Sequence, residues 1–195
     1  MGLMVYPGEM KIQAQTMNEA LNLKNDCLLG VASGVESFTA DTELTGSAWA
    51  MVKDQLSAHL SVIHGIICCN EAIVNDNSTM IGILGDEDLN EDEINNQIEA
   101  LQQVLNRAEQ MKGNLRAMQS NPVIGASSAP FIASQMAVCE GIIAVNESMI
   151  KTLEAKLQKL YDINNQTMGL FSNCNALSST VNQGITAISG SWNGT

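Results

Sequence analysis

"MKIQAQTMNEALNLKNDCLLGVASGVESF", residues 10–38, carries the pattern that decides the fold. Met10, Ala14, Met17, Leu21, Lys24, Leu28, Val31, Val35 and Phe38 recur at spacings of four and three residues. That period runs one stripe along one side of a helix, the seam of a coiled-coil-like packing. Lys24 is its only polar member. Gly30 and Gly34 lie off the stripe, where a bare Cα lets a second backbone come close.

The period stops at residues 39–42 and resumes as Trp49, Val52, Leu56, His59, Ile63, Ile66, Asn70 and Ile73. So short a connection makes the two helices antiparallel neighbours. "MIGILG" ends the second, with Gly85 as the expected cap. "DEDLNEDE", residues 86–93, is an acidic loop in which Asn90 and Glu93 resemble a capping box. A third stripe follows: Ile94, Ile98, Leu101, Leu105, Ala108, Met111, Leu115, Met118. "QSNPVIGASSAP" reads as a loop. The last stripe runs from Ile132 through Met136, Cys139, Ile143, Asn146, Ile150, Leu153, Leu157, Leu160 and Asn164 to Cys174, then resumes at Val181. Gly169 and the "NCNALSS" patch mark the expected bend or break. The fold class is therefore all-α. It is one elongated antiparallel helical bundle over 1–195, with a hairpin at 9–84, an acidic loop at 85–92 and a hairpin at 93–189.

Composition narrows the function. The chain has 9 basic and 21 acidic residues, a net charge of -12. Nucleic-acid binding needs clustered Lys and Arg, so no nucleic-acid partner is expected. The five cysteines fall inside helical patterns without a Cys-x-x-Cys, which suits free thiols in a reducing compartment. The start "MGLMVYPGEMK" lacks a basic region followed by an apolar one, so no secretory signal peptide is expected. Residues 125–145 are long enough to span a bilayer, but Glu140 and Pro130 fall inside them, and a buried helix without stable membrane insertion is the better reading.

Three chemical readings fail on spacing. Asp86, Asp88, Asn90 and Asp92 occupy the first four ligand positions of an EF-hand, but Glu91 and Gln97 replace its glycine and its bidentate glutamate. His64 and Cys68 are one turn apart without two further ligands. No nucleophile, base and acid set is recognisable. We expect no metal, no cofactor and no enzyme activity. Asn70, Asn146 and Asn164 read as register setters.

The stretch "TELTGSAW", residues 42–49, opens the second helix, with Asp41 or Thr42 as N-cap and Gly46 one turn in. Leu44-Thr45-Gly46 at this elbow resembles the LXG family, the N-terminal export domains of toxins secreted by the type VII system of Gram-positive bacteria. The start "MGL", the long first helix, Trp49 after the glycine and the late "GLFSNCNALSSTVNQGI" extend the resemblance along the chain. By that analogy Leu44 plugs the hairpin against Phe38, Gly46 lets the chains approach, and Trp49 begins the second seam. Trp192-Asn193-Gly194 repeats the bulky-x-Gly pattern and is read as a second elbow or the exit to a linker. A C-terminal toxin domain is then expected beyond residue 195. The Tyr-x-x-x-acid export signal of related substrates is not carried: Asn165 stands four residues after Tyr161.

The resemblance implies a chain made in the cytoplasm, exported without a signal peptide and used in competition between bacteria. It implies small helical partner proteins and recognition by the membrane ATPase of the secretion machinery. The alternatives are a helical pore-forming toxin and a generic coiled-coil scaffold.

Overall fold

The computed structural model describes residues 2–121 and 125–191. Its elements are β1 (Met4–Val5), α1 (Pro7–Ala40), α2 (Ser47–Ile83), β2 (Leu89–Asn90), α3 (Glu91–Gln119), α4 (Gly125–Thr167) and α5 (Ser172–Ser191). The fold is all-α, as the repeated 4-3 stripes require. The chain forms two compact units, one of α1, α2 and α5, the other of the two strands with α3 and α4.

In the first unit Pro7 opens α1, where its fixed φ favours the first helical position. Antiparallel α1 and α2 run with Cα atoms within 8 Å of each other. Small and amide side chains allow that approach. Ala14, Asn25 and Ala32 are buried from α1, and Ile67, Asn70 and Asn77 from α2. Asn70 donates to Asn25 Oδ1 at 2.7 Å, and Asn77 donates to Asn18 Oδ1 at 2.8 Å. Three of the nine expected α1 stripe positions are thereby corrected. Ala14, Leu21, Leu28 and Val35 keep their place, but Asn18, Asn25 and Ala32 take the seam where Met17, Lys24 and Val31 were expected. Hydropathy favours the bulky neighbour. Close packing favours the small residue, and an amide is tolerated there because another amide satisfies it. No neighbouring atom lies within 4 Å of a Cβ built on Gly30 or Gly34, so no backbone approaches there.

After α4 the chain turns at residues 168–171, close to the expected Gly169 break. Phe171 adopts φ 66° and its N–H donates to an Asp76 carboxylate oxygen at 2.8 Å. Helix α5 then packs on α2. The expected hairpin of 93–189 therefore ends at Asn164, and residues after it join α1 and α2. The heptad register continues through the break, which is why the sequence pattern reads as one helix.

In the second unit α3 and α4 are antiparallel and meet through longer side chains. Ile94, Leu105, Ala108 and Leu115 of α3 are buried, as are Ile132, Cys139, Ile150, Leu153, Leu160 and Ile163 of α4. Asn146 is buried too, but donates to Ile142 O of its own helix at 2.7 Å rather than across the seam. The expected acidic loop of 85–92 is shorter and more ordered than its charge suggests. Leu84, not Gly85, caps α2, and Leu89–Asn90 pairs antiparallel with Met4–Val5. Asn90 then caps α3 by accepting from the N–H groups of Asp92 and Glu93. Glu91, Asp92 and Glu93 in the first turn complement the helix dipole. The expected loop of 119–130 is shorter as well, since α4 begins at Gly125 with Pro130 inside it.

The acids of this region have defined partners. Glu91 accepts from Leu3 N–H at 2.8 Å and from the Tyr161 hydroxyl at 2.6 Å. The hydroxyl and the Leu3 amide hold the Glu91 carboxyl below its usual range, and the carboxylate in turn raises Tyr161. Glu87 bridges Lys156 at 2.5 Å, and Lys112 bridges Glu140 at 2.7 Å between α3 and α4.

Candidate partner-binding surfaces

The elbow of the first hairpin spans residues 41–46. Asp41 Oδ1 accepts from Glu43 N–H at 2.8 Å, and the Lys53 ammonium donates to Asp41 O, so the turn is fixed by short polar contacts. Helix α2 starts at Ser47, not at Asp41 or Thr42, and Gly46 is its N-cap residue. Its backbone sits at φ 107° and ψ 162°, a region that only glycine enters without strain. Nothing lies within 4 Å of a Cβ built there, so Gly46 is not a point of close approach. The glycine answers to backbone conformation, not to packing. Its own C=O accepts the first helical hydrogen bond, from Ala50 at 3.0 Å.

Phe38 and Trp49 form an edge-to-face pair with centroids 6.0 Å apart and planes at 60°. Trp49 is thus the ring that packs on Phe38, while Leu44 is half-buried beside the turn. Trp49 and Val52 remain exposed and do not begin a buried seam. Trp192 and Gly194 lie outside the described residues.

The broader feature lies on α3 and α4. Val104, Met111 and Met118 recur every seven residues on α3, each one place before the seam register, and all three are exposed. Met111 and Met118 therefore leave the seam they were expected to fill, and half-buried Lys112 takes the place beside Met111. On α4 Ile142 and Met149 hold the equivalent place before Ile143 and Ile150, with Phe131, Val138 and Val145 further round. Residues that precede the seam on both helices of an antiparallel pair fall on the same side. A groove of about 360 Å³ marks that side, lined by Gln97, Ala100 and Leu101 of α3 with Met149, Thr152, Leu153 and Lys156 of α4.

Charge separates the two sides of this pair. Glu140, Glu147 and Glu154 recur every seven residues on the opposite flank of α4 and are exposed. The positions one before the seam carry Arg107 and Asn114 on α3 and Gln135 on α4 among these apolar residues, and no acidic residue from Gln97 to Met118 or from Phe131 to Met149, in a chain with 21 acids. Phe131 is 63% exposed and Val145 is 59% exposed, large apolar groups in water without cover. Isolated exposed apolar residues are ordinary, but a continuous stripe is the mark of an interface. Sequence reasoning passed over this face because each helix was assigned one stripe. The second stripe, at Val104, Met111, Ile142 and Met149, has the same period and was equally readable.

The metal-ligand candidates are not brought together. Among the described residues no group of three or more His, Cys, Asp or Glu side chains converges. His59 Nδ1 lies 2.8 Å from Gln55 O on its own helix, while His64 and Cys68 are exposed. Asp86 bonds Lys11, and Asp92 accepts from Gly2 N–H, so two of the EF-hand positions are engaged within the protein. Two stretches, Ser47–Ile83 and Ser128–Ser189, the second interrupted by the turn at 168–171, are long and apolar enough to cross a membrane by length and composition. No protein-family model, curated protein or solved structure matches the chain.

Proposed function

We propose that this chain is a helical export-targeting module of the LXG type, which binds small helical proteins and brings an attached toxin to the type VII secretion machinery. The observation that supports partner binding is the acid-free apolar face of α3 and α4. An amphipathic helix laid along it would cover Val104 and Met111 of α3 with Val138, Ile142, Val145 and Met149 of α4 at i, i+3, i+4 and i+7 contacts of its own. The supporting signal for export is Leu44-Thr45-Gly46 at a turn whose geometry requires the glycine. Leu44 and Trp49, both partly open to solvent, offer side chains to a recognising protein, the membrane ATPase of the machinery in this reading. The module works by binding and does no chemistry of its own.

The test uses the exposed face. Val138→Lys with Val145→Lys changes two residues that are already in water, so the melting temperature should stay near that of the parent. Binding to the small helical proteins encoded beside it, read by size exclusion with light scattering, should be lost. Export of the full-length protein should fall with it. Unchanged binding by the double variant would refute the face, and a parent chain that ignores those proteins would refute the function.

A second reading rests on the two apolar stretches, which suit a pore-forming toxin. Leakage of dye from anionic and zwitterionic vesicles separates the two, because a targeting module releases none.

A further inference from the structure

Cys69 of α2 and Cys174 of α5 face each other with their sulfurs 3.7 Å apart. Cys69 Sγ also lies 3.7 Å from the Cys174 carbonyl oxygen. The approach is built by the surrounding chain. Asp76 anchors the turn before α5 through the Phe171 N–H. Further along, two glycines thin the contact between the helices. A Cβ added to Gly65 would meet Val181 Cγ2 at 3.0 Å, and one added to Gly184 would meet Val62 Cγ2 at 3.1 Å. Helices held this near bring opposed Cβ atoms toward the short separation a disulfide requires. Of the five thiols, Cys139 is buried in the other unit, and Cys27 and Cys68 are exposed. Among the described residues, only Cys69 and Cys174 bring two thiols against one another.

We propose that Cys69 and Cys174 are a modification site, a thiol pair that closes to a reversible disulfide tying α5 to α2. The oxidant is a low-molecular-weight disulfide, acting by exchange. Half-buried Cys69 is the thiol such a molecule reaches. Cys69 gives its proton to solvent, and its thiolate attacks one sulfur of the reagent, forming a mixed disulfide and expelling the other half as a thiolate. Cys174, likewise deprotonated, then attacks the Cys69 sulfur and expels the second half. The protein loses two electrons and two protons, and the reagent becomes two thiols. Burial and the neighbouring Cys69 lift the Cys174 thiol above its ordinary value, so this second step quickens as pH rises. The bridge closes 105 residues of chain, a long loop whose constraint favours the folded state.

The pair needs neither the docking face nor the export reading, and its test uses the isolated chain. Exported proteins do pass from reducing to oxidising surroundings, where such a pair would close. Cys27→Ser with Cys68→Ser removes the two exposed thiols, and the native variant is titrated with oxidised glutathione. Alkylation should find that two of the three remaining thiols are lost, and peptide mapping should join Cys69 to Cys174. No glutathione should stay bound, the melting temperature should rise, and dithiothreitol should reverse both changes. Adding Cys174→Ser should stop the reaction at a glutathione adduct on Cys69. A lasting adduct on Cys69 with Cys174 present, a bridge between chains, or thiols that react only after denaturation would each overturn the proposal.

Discussion

The α1–α2 and α3–α4 hairpins have the same 4-3 period and opposite chemistry. In the first the most buried positions are mainly alanine and asparagine, with Ile67 among them, and the backbones lie close. In the second it is leucine and isoleucine, and contact is made through side chains. Period alone therefore assigns an antiparallel helix pair without saying what holds it. Apolar burial supplies most of the stability of a large-residue seam. A seam of small residues buries less per position, and its amide pairs specify which residue faces which. The Asn25–Asn70 and Asn18–Asn77 pairs would both break on a slip of either helix.

The largest expected effect tests the second seam. Leu160 is fully buried on α4, and Leu160→Ala removes its packing without a polar group to compensate. Urea unfolding should show a loss of about 2–5 kcal/mol. A loss below about 1 kcal/mol would mean that the α3–α4 seam is not a packed core, and the contrast between the hairpins would fail.

The first seam should respond through its amides. Asn70→Ala leaves the buried Asn25 amide without its partner, and the unmet group costs about 1–3 kcal/mol. Replacing both, Asn25→Ala with Asn70→Ala, should recover much of that loss, because no buried polar group is then orphaned. A double-mutant cycle measures the coupling. Additive single losses would show that the amides do not act as a pair and would reduce the first hairpin to ordinary packing.

The elbow should show a smaller change. Gly46 is exposed and unpacked, so Gly46→Ala can act only through its backbone at φ 107°. The variant should lose roughly 1–3 kcal/mol, toward the lower end if the exposed turn relaxes. A gain in stability would mean that the residue adopts a helical conformation in solution.

These residues also show what the sequence could and could not convey. The α4 seam was readable from Ile132 to Leu160 because its residues keep the 4-3 spacing unbroken, although Phe131, Val138, Ile142, Val145 and Met149 beside them are apolar too. The α1 seam was readable only in part: Met17 beside Asn18 and Val31 beside Ala32 invert the usual ranking. The missed signal was a matched spacing. Asn18 and Asn25 are seven apart, and so are Asn70 and Asn77. The β1–β2 pairing was not readable, since two residues carry no period. Nor was the return of α5 to α2, because Gly65 and Gly184 report a close contact only once the partner helix is known. The elbow was located correctly, but its glycine was explained by approach when positive φ is the cause.

The smallest effect concerns how the second hairpin is held at its open end. Glu91 links the N-terminal strand, through Leu3 N–H, to Tyr161 of α4. Both contacts favour the ionised carboxylate, so its pKa in the folded state lies below the ordinary 4.5. The same direction holds for Glu87, through Lys156, and for Glu140, through Lys112. A group with a depressed folded pKa binds protons more readily when unfolded. Its stabilisation is present above 4.5 and is lost as pH falls through the lower folded value. Melting temperature should therefore be level near neutral pH and decline on acidification below 4.5, with part of that decline carried by these three carboxylates. Glu91→Gln keeps the shape and removes the titration, so it should lower the neutral-pH melting temperature slightly and flatten the acid slope. Tyr161→Phe should do less, because Leu3 still donates to Glu91. Neither amide of the Asn25–Asn70 pair titrates, so Asn70→Ala should keep an acid slope parallel to that of the parent. If Glu91→Gln leaves the slope unchanged while Asn70→Ala alters it, the two hairpins have been assigned the wrong chemistry.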